Sequence, residues 1–369
     1  MRQPSLYLDH NATAPAAPGV AEAVREALIK GGNPSSVHRS GRAARARVEA
    51  VRHALAEAVG AKAQEIVFTA GGTEANVWTV TAAPVERLIV CAVEHASVLE
   101  PAQACGTPQH LVAVDQDGRL DLADLERALA APGGRALVCL QSANNEVGTL
   151  QPVSEAVALA HAAGALVHID ATQSLGKTAL AFQSDLMTVS AHKIGGPAGV
   201  GALIVREGVA LRPLLPGGGQ ELRRRGGTEN LAGIAGFGAA LAHLDARRAA
   251  HATLAAVRDD LEARLARLCP DLVVFGQQAP RLANTSAFAV PGLEAEVQLM
   301  HLDLMGVEVG SGSACSSGKV SPSHVLAAMG VDETLSRCAM RLSFGPGQDL
   351  AAVERFLAAF EPLYRRKAA

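Results

Sequence analysis

Three apolar runs in this sequence end on residues whose types can do chemistry. EIVFTA (65–70) leads into Gly71, Gly72 and Thr73; ALVHID (165–170) ends on Asp170; and LMTVSA (186–191) leads into His192 and Lys193. A glycine turn that opens a helix offers backbone amides to an anion such as phosphate. A carboxylate can hold a protonated ring nitrogen, and a lysine amine can attack a carbonyl carbon and move protons.

Each of these features also has an ordinary structural explanation. The two glycines could form a plain turn between strand and helix, Asp170 could cap the turn after its strand, and the Lys193 stem could lie along apolar surface. However, ligands of open α/β sheets sit beyond the carboxyl ends of the strands, where the three features would meet. An anion cradle, a carboxylate and a lysine together match the needs of pyridoxal phosphate.

The elements that would position these residues are short apolar runs separated by helical stretches. The runs lie at 65–70, 87–93, 110–114, 136–142, 165–170, 186–191 and 200–205, and helical stretches lie between several of them, at 73–83, 121–131 and 153–164. The runs are mostly unalternating, as in strands buried on both faces. The pattern therefore predicts an α/β fold with a mainly parallel seven-stranded sheet between helices.

The length of the chain predicts two domains, or one large α/β unit with an appendage. We expect a large domain over residues 13–247 that carries the sheet, and a smaller α+β domain over 1–12 and 248–369. A charged amphipathic stretch at 241–269, one long helix or two, would lead out of the large domain. DLVVF, TSAFAV and AMRLSFG are the strand candidates of the small domain, together with two more helices.

Composition excludes several classes of protein. Of the 369 residues, 49% are hydrophobic and 19% charged, and the net charge is −3, so no basic field favours nucleic acid or an anionic membrane. The N-terminus lacks the unbroken apolar stretch of a secretory signal, and we expect a cytoplasmic protein. Six cysteines without close pairs or a His/Cys cluster predict reduced thiols, with neither disulfides nor a metal site.

An ordered series of motifs over nearly the whole chain resembles one family, the cysteine desulfurases of the NifS/IscS branch, which are fold-type I pyridoxal-phosphate enzymes of the class V aminotransferase family. The motifs are LYLDHNATAP (6–15), GNPSSVH (32–38), FTAGGTEAN (68–76), VEHASV (93–98), NNEVGTLQPV (144–153), HIDATQSLGK (168–177), SAHKIGGPAGVGAL (190–203), RRRGGTEN (223–230) and SGSACSSG (311–318).

This resemblance implies pyridoxal 5'-phosphate as cofactor and gives its binding residues. Lys193 would bind the cofactor covalently and, once released, move protons, while Asp170 would pair with the pyridinium nitrogen. The remaining contacts would be Gln173 and Asn145 at the ring oxygen, His95 stacked on the ring, and Thr73, Ser190 and His192 at the phosphate.

The arginine run at 223–225 has two interpretations. Three arginines in a loop usually form a solvated face. The nearby Thr228, however, matches a family residue that reaches the cofactor phosphate of the neighbouring subunit. The resemblance therefore implies a homodimer with shared active sites. Two-fold symmetric dimers are also the commonest oligomers.

Cys315 distinguishes the chain from aminotransferases of similar fold. Its Gly/Ser surroundings in SGSACSSGK suit a mobile exposed loop, whereas Cys91, Cys105, Cys139, Cys269 and Cys338 are expected to be structural. In the family this thiolate attacks the substrate sulfur and becomes a persulfide, with His95 managing thiol protons. Arg341, helped by Asn33, would hold the carboxylate of L-cysteine, and the other product would be L-alanine.

The resemblance also implies that the sulfur passes to an acceptor protein, such as an iron–sulfur scaffold or a tRNA thiolation factor, and SGSAC places the chain with the long-loop members. A selenocysteine lyase or another class V enzyme would use the same Lys193 and Asp170, and a lyase could work without Cys315. A non-catalytic interaction protein is the remote alternative, because such a protein could afford to lose these residues and Arg341.

Overall fold

The structure is a computed structural model that describes residues 5–180, 183–311 and 322–368. Its strands are β1 (Leu6–Tyr7), β2 (Ile66–Thr69), β3 (Arg87–Cys91), β4 (Gln109–Val112), β5 (Ala136–Gln141), β6 (Leu166–Asp170), β7 (Leu186–Ser190), β8 (Gly201–Val205), β9 (Val273–Val274), β10 (Thr285–Ala289), β11 (Val307–Glu308) and β12 (Ala339–Ser343). Its helices are α1 (Val20–Lys30), α2 (Arg39–Ala58), α3 (Gly72–Ala82), α4 (Ala96–Ala104), α5 (Leu122–Ala130), α6 (Val153–Ala162), α7 (Leu231–Leu241), α8 (Leu244–Leu268), α9 (Ala295–Leu304), α10 (His324–Ala328), α11 (Glu333–Ser336) and α12 (Leu350–Ala368).

The central sheet has seven strands in the order β2-β8-β7-β6-β5-β3-β4. Strand β8 is antiparallel to both of its neighbours, and the other adjacent pairs are parallel. Every residue of β5, β6, β7 and β8 is buried, which explains why these runs are apolar without alternation. Each of the seven predicted runs overlaps one strand, and the predicted fold class is confirmed.

Helices cover both faces of this sheet. Trp78 of α3 and Val98 of α4 belong to the core on one face, while Leu125 of α5 and Val157 of α6 belong to the core on the other. Within the described residues, no helix has both the length and the apolar character needed to cross a bilayer.

The parallel arrangement brings the ends of several strands to one edge. Asp170 at the end of β6 lies opposite Thr188 of β7, two residues before β7 ends at Ser190. Because β2, β3 and β5 run in the same direction, the segments that follow them emerge at this edge as well. The residues predicted to do chemistry are therefore delivered to one place by the sheet.

A second, smaller core lies around a three-stranded antiparallel sheet in the order β12-β10-β9. Phe288 of β10 packs edge-on against Phe356 and Phe360 of α12, with ring centroids 6.4 and 6.3 Å away. The stretch predicted as one long helix or two, at 241–269, contains one long helix, α8, which contributes Leu261 and Leu265 to this core. The sequence predicted two helices beyond it; the described residues have four, of which α10 and α11 are very short. The predicted domain boundaries stay a prediction.

The N-terminal segment, residues 5–14, packs on neither face of the large sheet. It connects the small core to the edge of that sheet. Strand β1 pairs in parallel with β11, a two-stranded sheet that the sequence analysis did not foresee. Beyond β1, Asp9 bridges to Ser343 at the end of β12. This pairing directs the next residues, 9–14, across the edge where the strands of the large sheet end.

Candidate active site

A cavity of about 500 Å³ lies at the carboxyl edge of the large sheet. Nine of the residues that the sequence predicts for the site line it: Thr73, His95, Asn145, Asp170, Gln173, Ser190, His192, Lys193 and Arg341. Residues from the N-terminal segment and from the neighbourhood of β11 complete the lining, including Asp9, Asn11, Ala12, Leu299, Val309 and Gly310. Such a volume is typical of pockets for small molecules and cofactors.

Lys193 lies in a single 3₁₀ turn, Ala191–Ile194, directly after β7. Gly195 ends this turn with a left-handed φ of 87°, where a side chain would be strained. The Lys193 Nζ donates to the carbonyl oxygens of Asn11 (2.7 Å) and Ala12 (2.9 Å). Burial, followed by the charge of Arg341, lowers the pKa of Lys193 to about 8, so the amine is uncharged near neutral pH far more often than that of an ordinary lysine.

Asp170 is buried at the end of β6, with both carboxylate oxygens held. Its Oδ1 accepts from the Thr172 backbone amide (2.9 Å), and its Oδ2 accepts from Asn76 Nδ2 (2.7 Å). The same Asn76 nitrogen donates to Ser97 Oγ (2.9 Å), which contacts His95 Nδ1 at 2.8 Å. One network thus fixes both the carboxylate and the imidazole in the lining of the cavity.

His95 also begins helix α4. Its Nδ1 accepts from the Ser97 backbone amide (3.1 Å), so the neutral ring carries its proton on Nε2. Burial lowers the pKa of His95, although Asp170 acts in the opposite direction. The ring therefore favours the neutral form, which can accept or relay a proton near neutral pH.

One end of the cavity, around Gly72 and Ser190, is lined with small and polar groups. Helix α3 begins there at Gly72, and a Cβ at this position would lie 3.3 Å from Thr172 Oγ1 and 3.7 Å from the Ser190 Cβ. His192 Nδ1 contacts Thr13 Oγ1 at 3.2 Å, and burial, followed by the charge of Lys193, lowers the pKa of His192 to about 4. This end offers hydroxyls and the free amides of a helix start, as an anion requires.

Arg341 enters the cavity from the middle of β12. Its guanidinium donates to Asp9 Oδ1 (2.5 Å) and to the Asn145 backbone oxygen (3.1 Å). Its buried Nε has no hydrogen-bond partner among the described residues. A cationic fork with unused donor capacity is suited to a carboxylate.

Sequence reasoning missed the residue with the most connections in the site, Asn11. Its backbone oxygen accepts from Lys193 Nζ and from Gln173 Nε2 (2.9 Å). Its side chain donates to the Asn145 backbone oxygen (3.2 Å) and accepts from Lys177 Nζ (2.6 Å). The motif LYLDHNATAP contributes to the family resemblance, but nothing in this short segment before the first helix indicates that Asn11 contacts Lys193 and Gln173.

Two predicted site residues that the structure describes do not line the cavity. Asn33 is exposed and its Oδ1 accepts from the Ser35 backbone amide (2.9 Å), and Thr228 is exposed as well. Neither lines the cavity of this chain, and their roles stay predictions. Cys315 lies outside the described residues.

Of the cysteines expected to be structural, Cys91, Cys139, Cys269 and Cys338 are buried, and Cys105 is half-buried.

Comparisons with known proteins agree on one family. The family model "Aminotransferase class-V" matches residues 6–356. A cysteine desulfurase of Cereibacter sphaeroides is 42% identical over 97% of this chain and 95% of its own length. Cysteine desulfurase IscS of Dictyoglomus turgidum is 39% identical over 92% of this chain and 89% of its own.

A solved structure shares the fold as well. The NifS-like protein from Rickettsia africae ESF-5 superposes with a TM-score of 0.90 at 34% sequence identity, covering 98% of this chain and 99% of its own. The likeness extends over both the large sheet and the small core.

Proposed function

The chain belongs to the class V aminotransferases and is a cysteine desulfurase, and we propose that pyridoxal phosphate binds in the cavity at the edge of the large sheet and that Lys193 anchors it. The observation that carries this proposal is the half-buried Lys193 amine, which lies in the cavity with a pKa lowered to about 8. A lysine that loses its charge near neutral pH is a competent nucleophile toward an aldehyde.

The residues of the cavity fit this cofactor. Thr172 Oγ1 is buried beside Gly72 and has no hydrogen-bond partner among the described residues. A Cβ at Gly72 would project toward this hydroxyl. An incoming phosphate would satisfy this hydroxyl and the first amides of α3, with Thr73, Ser190 and His192 beside it. Asp170 would face the ring nitrogen, His95 the ring surface, and Asn145 and Gln173 the ring oxygen.

When bound, pyridoxal phosphate supplies an electron sink that weakens bonds at the α- and β-carbons of an attached amino acid. The chain's own groups do the remaining work. Asp170, fixed by Asn76 and the Thr172 amide, would hold the protonated ring nitrogen. The freed Lys193 amine takes and returns the proton at the substrate α-carbon.

Arg341 selects the substrate by its carboxylate. Its position between Asp9 and the Asn145 carbonyl aims the fork into the cavity, and each terminal nitrogen carries a second hydrogen that can donate to a carboxylate. An α-amino acid is therefore bound at two ends, its amine near Lys193 and its carboxylate at Arg341, with Asn33 as a proposed helper. This arrangement leaves the side chain of L-cysteine open to a second nucleophile.

We assign that nucleophile to Cys315. Its thiolate attacks the substrate sulfur, a sulfur–sulfur bond forms, and the bond between sulfur and Cβ breaks with its electron pair retained on carbon. Protonation of that carbon gives L-alanine, and the sulfur stays on Cys315 as a persulfide. His95, held in its neutral form by burial, can take the thiol proton.

The proposed cellular role is sulfur supply in the cytoplasm. An acceptor protein takes the persulfide sulfur, either an iron–sulfur cluster scaffold or a tRNA thiolation factor. We further propose a homodimer, in which Thr228, exposed and outside this chain's own cavity, reaches the phosphate site of the partner subunit.

The test measures L-alanine and sulfide formed from L-cysteine with a reductant, for the unmodified protein and for Cys315→Ala. Cys105→Ala is the matched control, because Cys105 is a half-buried thiol outside the cavity. Equal amounts of both products, near-total loss in Cys315→Ala and full activity in Cys105→Ala would support the proposal. Retained activity in Cys315→Ala would instead favour a lyase that needs no persulfide.

A further inference from the structure

Lys177 is a buried lysine that the proposed chemistry does not use. It lies in the turn after β6 with 7% of its surface exposed. Its amine forms no ion pair with a carboxylate among the described residues; burial, together with the charges of Lys193 and Arg247, lowers its pKa well below the ordinary value. Burying a lysine without a counter-ion is costly, so its amine must be held by other polar groups.

The contacts of Lys177 show what its amine does. Its Nζ lies 2.7 Å from Gln173 Oε1 and 2.6 Å from Asn11 Oδ1. Asn284 Nδ2 donates to the same Asn11 oxygen (3.2 Å), and Gln173 Nε2 donates to the Asn11 backbone oxygen (2.9 Å). Both amides are therefore oriented with their oxygens toward Lys177, whose N–H groups are the donors.

This orientation determines what Gln173 presents to the cavity. The Gln173 oxygen is occupied by Lys177, and one Nε2 hydrogen is occupied by Asn11. The second Nε2 hydrogen remains for an acceptor in the cavity that Gln173 lines. The ring oxygen of pyridoxal phosphate is such an acceptor, so the amide meets it with a donor rather than with a repelling oxygen.

The same contacts reach Lys193. Its Nζ donates to the Asn11 backbone oxygen that Gln173 also uses, and Lys177 holds the side chain of that residue. We propose that Lys177 is a positioning residue that fixes the amide of Gln173, and through Asn11 the amine of Lys193, in the orientation the cofactor requires. This inference rests on the proposed placement of pyridoxal phosphate in the cavity.

The test measures the dissociation constant of pyridoxal phosphate, the absorbance spectrum of the bound cofactor and the melting temperature. For Lys177→Met we expect pyridoxal phosphate to bind about tenfold more weakly, because the change amounts to the loss of one hydrogen bond. We also expect the absorbance maximum of the bound cofactor to shift. Gln151→Met is the matched control: Gln151 is buried, bonds the Leu120 amide and the Gly118 carbonyl, and does not line the cavity. We expect this control to lower the melting temperature alone.

A double-mutant cycle separates positioning from general stability. If Lys177 acts through Gln173 as well as through Asn11, Gln173→Met weakens binding by itself, and Lys177→Met has a smaller effect in the Gln173→Met background than in the unmodified protein. Lys177→Gln, which keeps an N–H donor, should recover part of the affinity and of the spectrum. Full additivity, or an unchanged affinity and spectrum in Lys177→Met, would overturn the inference while leaving the proposed function in place. Failure of the unmodified protein to bind pyridoxal phosphate would overturn the proposed function itself.

Discussion

The cavity has two walls that are built in different ways. On the sheet wall, Asp170 ends β6 and Lys193 follows the neighbouring parallel strand β7, so the backbone pairing of the sheet sets their spacing. On the opposite wall, Asp9 and Arg341 meet although 332 residues separate them in the sequence. The first wall is positioned by a rigid, buried sheet, and the second by the pairing of the N-terminal segment with the small core.

The difference suggests that the two walls have different functions. The sheet wall holds the groups that act on the cofactor, and these need fixed geometry because covalent attachment and proton transfer depend on small distances. The opposite wall holds the cation that we assign to the substrate carboxylate. Substitutions in the sheet wall should therefore mainly lower kcat, and substitutions in the opposite wall should mainly raise KM.

The largest effect is expected from Lys193→Ala on the sheet wall. Loss of both the covalent anchor and the proton-transfer group should lower alanine formation from L-cysteine by roughly ten-thousandfold. Lys62→Ala is the control, because Lys62 is exposed on the surface. Normal turnover in Lys193→Ala would break the assignment of the sheet wall to chemistry.

The next effect concerns Arg341→Lys on the opposite wall. A lysine keeps the charge but loses the two-pronged contact, and kcat/KM should fall by about a hundredfold, mostly through KM. The comparison is with Arg337→Lys, an exposed arginine paired with Glu333. A fall in kcat without a rise in KM would show that the division between the two walls is wrong.

Asp9→Ala should have a smaller effect of the same kind. Asp9 holds the Arg341 guanidinium from one side, and the Asn145 carbonyl holds it from the other. With one of two holders lost, the KM for L-cysteine should rise about tenfold at nearly constant kcat. Steady-state kinetics of alanine formation would check this, and a lowered KM would mean that Asp9 competes with the substrate for Arg341.

The positive charge of Arg341 on the opposite wall also lowers the pKa of Lys193 on the sheet wall. In the protein without cofactor, acetylation of Lys193, followed by mass spectrometry, should be half-maximal near pH 8, because the charged amine below that pKa does not react. Arg341→Gln removes a nearby positive charge, so the pKa should rise and the reaction should move to higher pH. An unperturbed midpoint near 10.5 in the unmodified protein would contradict the burial of this amine.

The sheet wall could be predicted from the sequence because its signals are local. A buried strand has an unalternating apolar run, and the residue types that follow each run can be read directly. The opposite wall follows from long-range pairing, and the contact between Asp9 and Arg341 has no local signature. The role of Asn11 has no local signature for the same reason, since Lys193 and Lys177 are 182 and 166 residues away along the chain. Lys177 also contacts Gln173, four residues before it, but a lysine at this spacing from a glutamine does not indicate that its amine is buried.

Two lysines that reach the same residue, Asn11, give the most direct test of the central claim. The protein loaded with pyridoxal phosphate is reduced with borohydride, digested and examined by mass spectrometry for the lysine that carries the reduced cofactor. We predict that the label is on Lys193 and that Lys177 is unmodified. A label on Lys177, or on any lysine other than Lys193, would contradict the account.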